Sequence, residues 1–100
     1  MRSKAAKSAE KMAEALAIQA LSFIAMEPER LGRFLATSGI GPDQIRIAAR
    51  EPLFLAGVLD HIASDEPLLL AFAADSGHDP REIVRARAAL GGRRWEREVP

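Results

Sequence analysis

The sequence predicts an all-α fold, a compact bundle of five to six short helices with two similar helix-turn-helix corners. Ala and Leu dominate, β-branched residues are sparse, and no segment alternates apolar and polar residues with a period of two. Apolar residues instead recur at helical spacing between Pro and Gly residues. With 100 residues, 48% of them hydrophobic, the chain is expected to form one core. We expect a flexible basic N-terminus over residues 1–7, a single helical domain over 8–92 and a loose charged tail over 93–100.

The first helix is predicted from about Ser8 to Met26. Its apolar residues recur three and four positions apart, which places them on one broad stripe facing the core. The residues predicted to face inward are Met12, Leu16, Ala20, Phe23 and Ile24, with Ile18 and Leu21 widening the stripe.

Glu-Pro pairs predict where the second, fourth and fifth helices begin. Proline at the first helical position loses no hydrogen bond, and the residue before it is pushed out of the helical region. The predicted helices are Pro28 to about Ser38, Pro52 to about Ala63, and Pro67 to about Ser76, the last capped by Ser64-Asp65-Glu66. In the fourth helix, the side that carries Gly57, Asp60 and His61 is expected to face away from the core, and the leucine-rich fifth helix is expected to be central or to contribute to a dimer contact.

The third and sixth helices follow glycines that end the helices before them. Gly39 and Gly77 suit the left-handed residue that closes a helix. The third helix is predicted from Pro42 to about Arg50. The sixth begins at Pro80, with Asp79 as its cap and Glu82 reaching back, and it is predicted to end at Gly91-Gly92.

The two corners are related in sequence. Phe34 to Ala48 and Phe72 to Ala86 share seven of fifteen residues at a constant offset of 38. Two copies are too few for a solenoid, which usually needs three or more. The shared residues are those that core, cap and turn positions require, so the repeat indicates a reused helix corner inside one bundle.

Charge and composition limit the function classes. The net charge is zero, but residues 51–80 hold six acidic residues and no Lys or Arg, between two mildly basic ends. There is no Cys, so disulfides and thiolate chemistry are excluded and a cytoplasmic location is expected. No apolar run reaches the roughly 20 residues of a membrane helix, and we expect no membrane association.

A DNA-binding helix-turn-helix is the alternative interpretation of the corners. In the third and sixth helices, Arg46 with Arg50 and Arg81 with Arg85 lie on outward faces where they could contact DNA. The acidic residues of the segment before the sixth helix disfavour a phosphate-binding surface, however. The outward residues also differ between the copies, which a shared base-reading surface would not predict.

No pattern of catalytic or ligand residues stands out. His61 and His78 have no second ligand at metal spacing, so we expect no metal. Asp60, His61 and Ser64 supply the residue types of a triad, but consecutive residues on a helix do not face one another. We interpret His61 as a solvated or rim residue rather than a base. Gly39 and Gly41 lack the preceding strand of a dinucleotide site. We therefore expect no cofactor and no enzymatic activity.

Four segments together carry a family resemblance. They are E-P-E-R-L-G-R-F-L-A-T-S-G, P-L-F-L-A-G-V-L-D, D-E-P-L-L-L-A-F-A and G-H-D-P-R-E-I-V-R-A-R-A-A-L-G-G. From about Leu16 to Gly92 the chain resembles the small bacterial family called domain of unknown function 3572. The resemblance implies a short, all-helical bacterial protein and supplies no catalytic residues.

Together these observations predict a non-enzymatic interaction or accessory module that acts through an apolar helical face. The fourth and fifth helices carry more apolar residues than one small core is expected to enclose. The candidate contacts with a partner protein or a second copy are Leu53, Leu68, Leu69 and Leu70.

Overall fold

Six α-helices and one 3₁₀ turn make up the described part of the chain. The structure is a computed structural model that describes the backbone of residues 4–98 and the side chains of residues 7–91. The helices are α1 (Lys4–Ala25), α2 (Pro28–Ser38), α3 (Ile45–Ala48), α4 (Pro52–Ala63), α5 (Glu66–Ser76) and α6 (Pro80–Glu98), and the 3₁₀ turn Pro42–Gln44 leads into α3. No strand occurs within residues 4–98, so the predicted all-α fold is confirmed.

Three helices form the centre of the bundle. α1, α4 and α6 pack most extensively on one another. On α1 the contact is made by small residues, Ala13, Ala17 and Ala20, followed by Ile24, and these positions recur at helical spacing. Met12 was predicted to face this core, but it is 73% exposed, because the buried face of α1 is centred on the alanines and leaves Met12 at its edge, beside α6. Ile18 is likewise exposed, whereas Leu21 is buried as predicted.

The fifth helix lies at the side of this centre. Phe72 is 1% exposed and its ring lies 5.4 Å from that of Phe23, while Leu70 is 51% exposed. The prediction that α5 is central is therefore wrong. The space between α1, α4 and α6 is already filled, so α5 buries only the side that carries Phe72 and Ala73.

The Glu-Pro pairs begin helices as predicted, with one shift. Pro28 and Pro52 occupy the first turns of α2 and α4. α5 begins one residue earlier than predicted, at Glu66, because the Asp65 carboxylate accepts a hydrogen bond from the backbone N–H of Leu68 at 3.3 Å.

Two left-handed glycines end α2 and α5, and they confirm the two related corners. Gly39 has a φ of 76° and Gly77 a φ of 77°, and each donates its N–H to the carbonyl four residues earlier. The helices that follow differ. The Asp79 carboxylate accepts a hydrogen bond from the backbone N–H of Arg81, and the backbone N–H of Asp79 donates to the Glu82 carboxylate. These two bonds begin the long α6.

The first corner leads into a much shorter element. Gly41 stands where the second corner has Asp79 and offers no side-chain cap, so the predicted third helix is reduced to a 3₁₀ turn and the single turn of α3.

The first and last helices of the chain extend beyond their predicted limits. α1 begins at Lys4 rather than Ser8, and α6 continues to Glu98 through Gly91, which has no positive φ. A glycine ends a helix by adopting the left-handed conformation; inside a helix it only costs about 1 kcal/mol. The predicted end at Gly91-Gly92 is therefore wrong. The side chains of the predicted tail lie outside the described residues, as do residues 1–3. No helix in the described part is both long and apolar enough to cross a membrane.

Candidate functional site

The outer face of α4 forms the floor of a groove. Leu53, Gly57 and His61 recur four residues apart on this face, while the opposite face, with Leu55, Val58, Leu59 and Ile62, is buried in the core. α2 forms one wall and Arg87 of α6 the other, and the space between them measures about 610 Å³. The side chains and backbone that line this α4 groove belong to Phe34, Thr37, Ser38, Leu53, Phe54, Gly57, Asp60, His61, Ser64 and Arg87.

Aromatic rings build the wall between α2 and α4. Phe34 is only 3% exposed, and its ring lies 5.7 Å from that of Phe54, with an angle of 72° between the ring planes. The imidazole of His61 lies 5.2 Å from the same Phe34 ring, at an angle of 76°. Both contacts have the edge-to-face geometry that aromatic pairs favour, so the three rings hold one another in place.

The two charged groups of the groove neutralise each other. The Arg87 guanidinium donates from Nε to the Asp60 carboxylate at 2.6 Å, and both side chains are close to half exposed. The pair joins α6 to α4 across 27 residues of sequence. At this exposure its net contribution to folding is at most about 1 kcal/mol.

His61 is neutral, and its ring nitrogens make no hydrogen bond to the described residues. Burial lowers the pKa of the imidazole below its ordinary value of 6.5, although the carboxylate of Asp65 acts in the opposite direction. The imidazole is therefore neutral at pH 7, with one nitrogen as donor and the other as acceptor. Neither nitrogen makes a hydrogen bond to any residue whose side chain the structure describes, although the nearby helix ends are rich in hydroxyl groups.

Those hydroxyl groups bond to their own helices. Thr37 donates to the carbonyl of Arg33 at 2.9 Å, and Ser64 donates to the carbonyl of His61 at 3.1 Å. Asp60, His61 and Ser64 do line the same groove. However, Ser64 bonds to the backbone rather than to the imidazole, and Asp60 is paired with Arg87, so the three are not arranged as a catalytic triad.

The four candidate leucines do not form a single surface. Leu53 is 42% exposed and lines the α4 groove. Leu68 lines a smaller cavity of about 200 Å³ on the other side of His61. Leu69 is half-buried against the core, and Leu70 faces away from it.

The four candidate arginines differ in how firmly they are held. Arg81 donates from Nε and from a terminal nitrogen to Asp79 at 3.2 and 3.0 Å, and this hydrogen bonding lowers the pKa of the Asp79 carboxyl. Arg85 donates to the carbonyl of Arg81 at 3.3 Å. Arg46 and Arg50 are exposed, on α3 and in the turn after it. Arg81 and Arg85 are thus hydrogen-bonded at the start of α6 itself.

His78 links the start of α6 to α1. Its Nδ1 lies 3.3 Å from the Glu82 carboxylate and its Nε2 lies 3.1 Å from the side-chain oxygen of Gln19. The hydrogen bonds from the Asp79 backbone and from His78 lower the pKa of Glu82. Gln19 and His78 are 59 residues apart, so no local sequence pattern could have predicted their contact. Among the described residues no group of His, Asp or Glu is arranged to hold a metal ion.

The family model for "Protein of unknown function (DUF3572)" matches residues 10–93. The chain belongs to this family. The DUF3572 match includes every residue of the α4 groove, from Phe34 to Arg87. The family description names no activity, so membership adds no functional residue to those found in the structure. Comparison with curated proteins and with solved structures finds no match.

Proposed function

We propose that this protein is a non-enzymatic interaction module that receives a helix of a partner protein in the α4 groove. Gly57 is the observation that carries the proposal. It lies inside α4, in the middle of the groove floor, where a β-carbon would meet no atom within 4 Å. Gly57 does not have the positive φ that explains Gly39 and Gly77. Glycine inside a helix costs about 1 kcal/mol relative to alanine. Gly32 of α2 is a helical glycine with equally open surroundings, but only Gly57 of the two lies on the floor of the groove.

A bare stretch of backbone suits the close approach of another helix. Helix-in-groove recognition needs an apolar floor several turns long and room for alternating anchors. From Leu53 to Ser64 the floor extends roughly 16 Å, at about 1.5 Å of rise per residue. Leu53 and Phe54 supply apolar surface at one end, and the opening beside Gly57 lets the partner's backbone approach.

The polar groups of the groove support binding over catalysis. A nucleophile needs a base within hydrogen-bonding distance, and here Ser64 is bonded to a backbone carbonyl. Asp60 is neutralised by Arg87, and the ring nitrogens of His61 have no hydrogen-bond partner among the described residues. These features are those of an interface in which charges are paired within the chain.

Site-specific photo-crosslinking in the native cell tests the proposal. A benzophenone amino acid in place of Leu53 is expected to give a discrete protein adduct, and the additional change Gly57→Leu should abolish it by filling the groove. The matched control carries the same group in place of Gly32, an exposed helical glycine of α2 that lies outside the groove and also has open space around it.

The control for folding is Gly57→Ala. It should raise the free energy of unfolding by about 0.5–1 kcal/mol, as should Gly32→Ala, because both replace a helical glycine without a clash. Equal adducts from positions 53 and 32, or no adduct from position 53, would contradict the proposed function.

A further inference from the structure

We infer that the α4 groove is built to bind an uncharged aromatic side chain, Trp or Tyr, that the partner helix places beside Gly57 and within hydrogen-bonding distance of His61. The inference rests on the proposed function and identifies the chemistry of the partner's anchor residue. It follows from three properties of the groove, namely its charge, its free hydrogen-bonding capacity and its shape.

The charge of the groove selects an uncharged occupant. Asp60 and Arg87 cancel each other at 2.6 Å, and His61 is neutral at pH 7 because burial lowers its pKa. A charged side chain entering this space would lose its hydration and find no free counter-charge. Arg, Lys, Asp and Glu are therefore disfavoured as anchors.

The hydrogen-bonding groups of the groove further limit which anchor side chains can bind. The hydroxyl protons of Thr37, Ser38 and Ser64 are already donated to backbone carbonyls. The imidazole of His61 is the polar group of the groove whose nitrogens lack a hydrogen bond to the described residues. An aliphatic anchor lying over that imidazole would leave a buried nitrogen unsatisfied, which destabilises the complex. An anchor that carries its own N–H or O–H satisfies it.

The shape of the groove favours a flat ring. The wall presents the Phe34 and Phe54 rings, held edge to face, and the His61 ring packs edge to face against the same Phe34 ring. Beside them Gly57 has no side chain, so a ring can lie against the α4 backbone and contact the wall at the same time. Trp and Tyr combine an aromatic ring with a single donor and no charge, and both are enriched at the centres of interfaces.

The described part of this chain offers no such side chain to a second copy. The chain has four Phe, one Trp and no Tyr. Phe23, Phe34 and Phe72 are buried, and Phe54 is half-buried against Phe34. The side chain of Trp95 lies outside the described residues. The assignment of the anchor to a different protein is part of the inference, and Trp95→Ala tests it against a second copy of this chain.

The direct test uses amino-acid amides as probes of the full chain. Binding of N-acetyl-tryptophanamide, N-acetyl-tyrosinamide and N-acetyl-phenylalaninamide is followed by two-dimensional NMR of the ¹⁵N-labelled protein. The Trp and Tyr probes are expected to shift the signals of Gly57 and His61 and to bind about fivefold more tightly than the Phe probe, the effect of one neutral hydrogen bond. The amide of N-acetyl-arginine should not bind there.

Two variants separate the ring contact from the hydrogen bond. His61→Phe keeps an aromatic ring against Phe34 but removes both nitrogens, so the three aromatic probes should bind equally. Gly57→Leu should abolish binding of all three, whereas Gly32→Leu, at the open helical glycine of α2, should leave it unchanged. A Phe probe that binds the unmodified protein as tightly as the Trp probe would overturn the inference, as would Trp binding that is insensitive to Gly57→Leu.

The two proposals fail in different ways. If position 53 gives a protein adduct but no aromatic probe binds, the anchor inference is wrong and the proposed function stands. If the probes bind as expected but no adduct forms, the helix-receiving function is wrong and the groove keeps its preference for an uncharged aromatic donor. A concentration-dependent dimer that Trp95→Ala dissociates would overturn the assignment of the anchor to a different protein.

Discussion

At His61, folding and protonation oppose each other. Its pKa is lowered in the folded state by burial, only partly offset by Asp65, while the unfolded chain keeps the ordinary value of 6.5. As the pH falls below about 6.5, the unfolded chain therefore binds the proton first. We expect the free energy of unfolding to decrease from there until the folded-state pKa is reached, in urea titrations at stepped pH. His61→Phe should remove this part of the pH dependence.

The control for this prediction is His78→Gln, which leaves the groove intact and should keep the contribution of His61. The charged groups of the cavities beside His61 are Asp60, Arg87, Arg30, Arg33 and Asp65, and none of them is changed in the compared variants. A pH profile that His61→Phe leaves unchanged would show that the imidazole is solvated in the folded protein.

Individual positions were predicted well where their role depends on their own chemistry. The sequence placed Gly39 and Gly77 at helix ends, because only glycine adopts a positive φ without strain, and the structure confirms both. Gly57 was expected on the outward side of α4, and it lies there. Its neighbours Phe34 and Arg87 come from helices 23 residues earlier and 30 residues later, so the groove around it could not be predicted from local spacing.

Among the helices, α5 shows most clearly how composition and packing can disagree. Three consecutive leucines suggested a central helix, but α5 anchors itself through Phe72, and Leu70 is half exposed. We expect Phe72→Ala to lower the free energy of unfolding by about 3–5 kcal/mol and Leu70→Asp to change it by no more than about 0.5 kcal/mol. Chemical denaturation of the two variants measures both. If Leu70→Asp proves the more damaging change, α5 packs through its other side.

Helix boundaries were predictable where a local signal marks them, for a physical reason. The ends of α2, α4 and α5 were predicted as closely as the starts of α2, α4 and α6. A start depends on a cap and a proline within a few residues, as at Asp65 and Pro67, and such signals are local. The end of α6 depended instead on whether Gly91 would leave the helical region, which is a balance of small free energies. The sequence offered a glycine, but the helix continues through it.

For the molecule as a whole, the sequence predicted the architecture but not the site. The helical spacing of the apolar residues, with Pro and Gly between the segments, indicates which residues are buried. That is sufficient to predict an all-α bundle. The α4 groove depends on how far α2 and α6 diverge across α4, which is a property of the packed bundle. The candidate leucines were chosen from helix faces alone, and the structure distributes Leu53 and Leu68 to two cavities that meet at His61.

Charge distribution over the whole molecule argues against DNA binding through the corners. The chain has no net charge. Arg81 forms an ion pair with Asp79, and Arg87 forms one with Asp60. Because nonspecific affinity for DNA comes mainly from cations that neutralise phosphates, we expect no retardation of duplex DNA in a gel-shift assay at about 50 mM salt. Asp79→Asn, which frees Arg81, is the informative variant and should at most produce weak, salt-sensitive binding. Retardation by the unmodified protein that Arg46→Ala and Arg50→Ala weaken would instead establish the exposed arginines of the first corner as a nucleic-acid surface.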